Sequence, residues 1–105
     1  MNWVHVTALK RLQEFWEQHP DSEQTLRRWL EAAEDARWQN ILDVRRQFPH
    51  ADAVEVASGR TVTVFNIAGN KYRLIAAIHY NRQNVYAMMV LTHADYDRQR
   101  WKEEL

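Results

Sequence analysis

The chain has 105 residues, 46% of them hydrophobic and five of them Trp, which suits one packed domain spanning 1–105. Two Gly and two Pro argue against disorder and against a loop-rich sandwich, and the absence of Cys excludes a disulfide framework or a thiolate metal site. Lys+Arg 14 balance Asp+Glu 14, which counts against a non-specific nucleic-acid binder; no apolar run approaches the roughly 20 residues of a membrane span and no signal peptide is visible, so a soluble cytoplasmic protein is expected.

In chain order, a short strand is expected near Trp3–Val6. Thr7 can cap a helix through about Gln18, whose apolar residues Leu9, Leu12, Phe15 and Trp16 follow helical spacing. His19-Pro20 ends it, because the residue before Pro is pushed out of the helical region. Asp21 or Ser22 caps a second helix with Leu26, Trp29, Leu30 and Ala33 as its stripe. A third helical piece covers about Ala36 to Gln47, with Trp38, Ile41, Leu42 and Val44 inward, and Phe48-Pro49 closes it. The pattern then turns to strands. Ala53–Val56 is a short one, and Thr61–Asn66 alternates and is rich in β-branched residues. Ala68-Gly69-Asn70 is turn chemistry. Lys71–Tyr80 is a long strand, Asn81–Asn84 a turn and Val85–Leu91 a further strand, so the last three strands form an antiparallel meander. A closing helix runs from His93 to about Glu103, capped by Thr92 with Asp95 three residues on. The fold class is α+β: helices packed on a small antiparallel sheet, then a C-terminal helix.

Charge is divided along this plan. Met1–Glu55 carries ten acidic against seven basic residues, whereas Val56–Ala94 holds Arg60, Lys71, Arg73 and Arg82 and no acid. In the long strand, Tyr72, Leu74, Ala76, Ile78 and Tyr80 form the face suited to the helices. Lys71, Arg73, Ile75, Ala77 and His79 form the other, which is expected to lie open with its cations at the turn end. Thr92 and His93 open a helix, where free N–H groups and the dipole attract phosphate. Tyr96 and Asp97 lie about one turn further on, where Asp97 can orient His93 or pair with Arg100. Together these groups suit a phosphate. Taken singly, each has a plainer reading: Lys71 and Arg73 as solvated cations, His93 as a surface histidine, Tyr96 as a core anchor, Asp97 as the partner of Arg100. His5, His19 and His50 are scattered, and no metal-ligand spacing, Gly-rich phosphate loop or nucleophile elbow is present.

Phe65-Asn66-Ile67-x-Gly69-Asn70-Lys71-Tyr72-Arg73-Leu74, followed by Thr92-His93-Ala94-Asp95-Tyr96-Asp97, resembles the HigB family of type II toxins, ribosome-associated mRNA interferases of the RelE superfamily. The resemblance implies a RelE-like compact domain and an endoribonuclease that uses no metal or other cofactor, cleaving mRNA by attack of a 2′-hydroxyl on the adjacent phosphate. It implies Arg73 at the scissile phosphate, with His93 as proton shuttle and Tyr96 as the group that orients or stacks on the substrate. Lys71, Asn70 and Thr92 would be further RNA contacts. It also implies a HigA-like helix-turn-helix antitoxin in a hetero-oligomeric complex, and the ribosome as a partner. The alternative, which fits the neutral charge, is a non-catalytic module that binds antitoxin and acts only in a repressor complex.

Overall fold

The computed structural model describes residues 5–105. Strand β1 (His5–Thr7) leads into α1 (Leu9–Gln18), α2 (Glu23–Asp35) and α3 (Ile41–Gln47). The strands β2 (Asp52–Glu55), β3 (Thr61–Ile67), β4 (Tyr72–His79) and β5 (Asn84–Thr92) follow, and α4 (His93–Arg98) and α5 (Trp101–Glu104) close the chain. One five-stranded sheet runs in the order β1-β5-β4-β3-β2. The expected meander of β3, β4 and β5 is its antiparallel centre, β2 extends it as a hairpin partner of β3, and β1 adds a parallel edge beside β5. Trp3 and Val4 of the expected first strand lie outside the described residues. The β3–β4 turn has successive positive φ at Ala68 and Gly69 (53° and 70°), the region that glycine enters without strain.

The first core lies between the helices and the sheet. Leu12, Trp16, Leu26, Trp29, Ala33, Trp38 and Val44 meet Phe65, Ile67, Tyr72, Leu74 and Ala76. Phe65 is its centre, with ring centroids 5.3 Å from Trp29, 5.2 Å from Phe48 and 6.2 Å from Trp38. The second face of β4 was expected to lie open and does not. Ile75 and Ala77 pack with Val56, Val62, Val64, Met88 and Trp101 in a second apolar cluster. Trp101 comes from a tail whose fold-back no local spacing announces. A bulge in the β4–β5 ladder pairs Ile75 with Met89 but Ala76 with Ala87, so Met88 and Met89 both join the second cluster. The Arg11 guanidinium, on α1, donates to the carbonyl of the extra residue, Met88.

Three expected helix boundaries and one cap are corrected. Thr7 belongs to β1, and α1 starts after Ala8, which is left-handed (φ 68°) and gives no side-chain cap. Ser22 stands at the N-cap of α2 as expected but gives it no side-chain bond, because Pro20–Ser22 forms a 3₁₀ turn in which the Ser22 hydroxyl donates back to the His19 carbonyl. The third helix begins only at Ile41. There the Asn40 side chain accepts from the Asp43 N–H, while the Asp43 carboxylate accepts from the Gln39 N–H. Trp38 is buried ahead of that helix. Leu42 is 61% exposed, since it lies off the face shared by Ile41 and Val44 at i and i+3. The closing helix is broken at Gln99 (φ 62°), which divides it into α4 and α5.

Candidate functional site

Arg73 is the second residue of β4, paired with Asn66 on one side and Leu91 on the other. Its side chain is only 8% exposed. One guanidinium nitrogen donates to the carbonyls of Asn70 (3.1 Å) and Tyr72 (3.2 Å), and the other donates to Oδ1 of Asn70 (2.5 Å). The guanidinium carbon stands 5.3 Å from the centre of the Tyr96 ring. Among the described residues Arg73 joins no ion pair. A nearly buried cation held only by neutral acceptors and a π face is costly, and an anionic ligand would relieve that cost.

Helix α4 borders this group. Thr92 ends β5 opposite Tyr72, and its hydroxyl accepts from the Asp95 N–H (3.2 Å) as the expected cap. The His93 N–H donates to the Lys71 carbonyl (2.9 Å), fixing the helix start against the β3–β4 turn. Two of the N–H groups expected to serve a phosphate are therefore already bonded, and α4 is only six residues long. Nε2 of His93 lies 3.1 Å from the Asp97 carboxylate, with both side chains exposed. Asp97 thus pairs with His93 rather than with Arg100. Tyr96 is half-buried. Burial pushes its phenol above the ordinary value, against the opposing charge of Arg73. Its ring also stacks on Trp101, at 5.3 Å and 18° between planes. The π surface of Tyr96 is thus engaged by Arg73 and by Trp101.

Lys71 departs from the expected cation pair. It sits in the turn one residue before β4, where strand alternation does not apply, and its ammonium reaches Asp21 in the helical layer (3.0 Å). The Tyr72 hydroxyl donates to the same carboxylate (2.7 Å). Asp21 is held below the ordinary carboxylate range by Tyr72 first and Lys71 second, and its carboxylate in turn pushes Lys71 and Tyr72 up. A carboxyl with a depressed folded pKa stabilises the fold above its ordinary range and loses that contribution as the pH falls through the folded value. Asp21→Asn is therefore expected to lower the melting temperature modestly at neutral pH, with the gap to the parent closing below about pH 4. Thermal melts from neutral to acid pH check this, and a gap of constant size would sink it.

Two residues beside the site escaped sequence reasoning. Asp21 reads as a helix cap, and its partners lie 50 and 51 residues away. Trp101 stands five residues after Tyr96, outside the i+3 and i+4 spacings that mark one helical face.

Strand β4, its preceding turn and α4 thus bring Arg73, Asn70, His93, Tyr96 and the Thr92 cap to one end of the sheet. A family model described as HigB toxin, RelE-like toxic component of a toxin-antitoxin system, matches residues 22–99, a stretch that holds all of them. The chain belongs to the HigB toxin family. It is similar to the mRNA interferase toxin HigB of Escherichia coli (strain K12), with 24% identity over 94 residues, 90% of this chain and 88% of the relative. The same figures hold for proteins named mRNA interferase HigB from Escherichia coli O157:H7 and from Shigella flexneri. The α+β fold agrees with a RelE-like domain. Family membership makes the chain the toxin of a toxin-antitoxin system and implies an antitoxin partner. Among the described residues no helix is long and apolar enough to cross a membrane.

Proposed function

We propose that this toxin is an endoribonuclease of the mRNA interferase type, acting in the cytoplasm on mRNA engaged by the translating ribosome, without a metal. The observation that carries the reading is Arg73: a nearly buried guanidinium with no carboxylate partner among the described residues, beside an exposed imidazole and a phenol. In the reaction an RNA 2′-hydroxyl attacks the adjacent phosphorus. The P–O5′ bond breaks, leaving a 2′,3′-cyclic phosphate and a free 5′-hydroxyl. Arg73 stabilises the charge that builds on the phosphate oxygens. His93, steadied by Asp97, moves the proton between the attacking and leaving oxygens. The Tyr96 hydroxyl orients the phosphate. Asn70 and Thr92 border the flanking RNA, and Lys71, exposed but paired with Asp21, reaches it only by leaving that carboxylate. A HigA-like helix-turn-helix antitoxin neutralises the toxin in a hetero-oligomeric complex.

Induced expression followed by primer extension on cellular transcripts tests the reading. The parent is expected to arrest growth and to produce new 5′ ends within open reading frames. His93→Ala is expected to cut that cleavage by about 100-fold, the scale of a lost positioned acid–base group. A parent that leaves transcripts intact while still binding its antitoxin would be the non-catalytic module instead.

A further inference from the structure

We infer that Trp101 is a positioning residue for the Arg73–Tyr96 pair, so that part of the site's precision is supplied by the C-terminal tail. The inference rests on the cleavage reading above and assigns a role to a residue beyond the stretch of 22–99 that the family model matches. The tail is re-aimed by Gln99, whose left-handed backbone ends α4 and allows α5 to start in a new direction. Trp101 then folds under the sheet and is 3% exposed, packed with Val56, Val62, Val64 and Ile75. Its indole N–H donates to the Tyr96 carbonyl at 3.1 Å, an acceptor it shares with the Gln99 N–H, also at 3.1 Å. Its ring lies nearly parallel to the Tyr96 ring. Tyr96 is therefore held at its backbone and at its side chain by one residue. The tail itself is fastened, because the Ala57 N–H beyond β2 donates to the Lys102 carbonyl at 2.9 Å.

The consequence reaches Arg73. Its guanidinium is fixed on one side by Asn70 and faces the Tyr96 ring on another. Without a flat wall behind it, the Tyr96 ring is free to turn, and the guanidinium loses the surface it rests on. Trp101 is buried and meets the site through Tyr96, so its effect passes through the placement of Tyr96 and Arg73. A displacement of about an ångström at a reacting centre costs on the order of 100-fold in rate with little change in binding.

The test is single-turnover cleavage of mRNA on translating ribosomes by the full chain. Trp101→Leu is expected to lower the saturating rate about 30-fold while the toxin concentration for half-saturation stays within about twofold. Trp101→Phe keeps a flat ring and is expected to return the rate to within about threefold of the parent. Trp101→Met, whose flexible chain refills the space without a flat wall, takes the place of the Leu variant should that one not melt cooperatively, with the same results expected. A second readout needs no activity: the Tyr96 phenol, followed by its ultraviolet absorbance against a Tyr96→Phe control. In the Leu or Met variant the wetter phenol ionises at lower pH, moving back toward its ordinary value, and in the Phe variant it does not. A folded Leu or Met variant that cleaves like the parent overturns the inference. So does a loss confined to half-saturation, or a Phe variant as slow as the Leu one. If the parent itself leaves transcripts intact, the cleavage reading falls, and the phenol titration alone decides whether Trp101 holds Tyr96.

Discussion

Replacing Arg73 with alanine is expected to slow transcript cleavage by about 100- to 1,000-fold, the scale of a lost preorganised donor to a developing oxyanion. The geometry says why this residue should carry so much. Two guanidinium nitrogens are spent on Asn70 and the Tyr72 carbonyl, which fixes the plane and leaves the rest of the fork for a phosphate. Lysine is not an adequate substitute. Its ammonium is a strongly hydrated point charge that cannot hold Asn70 and present a second donor in a set direction. Arg73→Lys is therefore expected to recover less than about a tenth of the parent rate. The alanine variant should still melt cooperatively, because it removes a cation that the fold holds with little exposure and no carboxylate partner among the described residues. Single-turnover cleavage on ribosomes, with a thermal melt of each variant, checks both halves. A folded alanine variant that cleaves like the parent would move the site away from β4.

The parts of this arrangement that sequence could announce are those governed by neighbours in the chain. Alternation along Thr61–Asn66, the Gly69 turn and the Thr92 cap are all local patterns, and each element lies where its pattern puts it, the strand running one residue further to Ile67. What escaped depends on distant partners or on single-residue boundaries. Lys71 is one residue outside β4, which takes it from Arg73's face to Asp21. The break at Gln99 has no Gly, Asn or Pro to mark it, so the tail reads as one continuous helix. Without the break Trp101 has no reason to cover the second face of the sheet, and that face reads as open. Grouping Arg73, His93 and Tyr96 was within reach of the motif blocks. The i,i+4 spacing of His93 and Asp97 offered their pairing, which the structure takes over the alternative with Arg100, whereas the Trp101 wall behind Tyr96 had to come from three dimensions.

Phe65→Ala is expected to cost about 3–5 kcal/mol of stability, the range for truncating a well-packed aromatic to alanine. Phe65 is 1% exposed, and three aromatic partners from the helical layer surround it: Trp29, Trp38 and Phe48. These rings reach it from α2, from the segment before α3 and from the residue after α3, so none can shift to fill the space without moving a helix. A domain of this size holds roughly 5–15 kcal/mol in total, and the loss corresponds to a fall in melting temperature on the order of 15–25 °C. Phe65→Leu keeps most of the volume and should cost less than half as much. The position of Phe65 also separates stability from chemistry. It neighbours Asn66, which pairs with Arg73 across the β3–β4 ladder, yet its side chain points to the helical core and away from the guanidinium. Well below its lowered melting temperature, the alanine variant should therefore cleave at close to the parent rate per folded molecule. That is the opposite of Arg73→Ala, which keeps the melt and loses the rate. Denaturation curves paired with cleavage at a low temperature read both. A Phe65→Ala chain that melts like the parent would show that the ring cluster is not what ties the helices to the sheet.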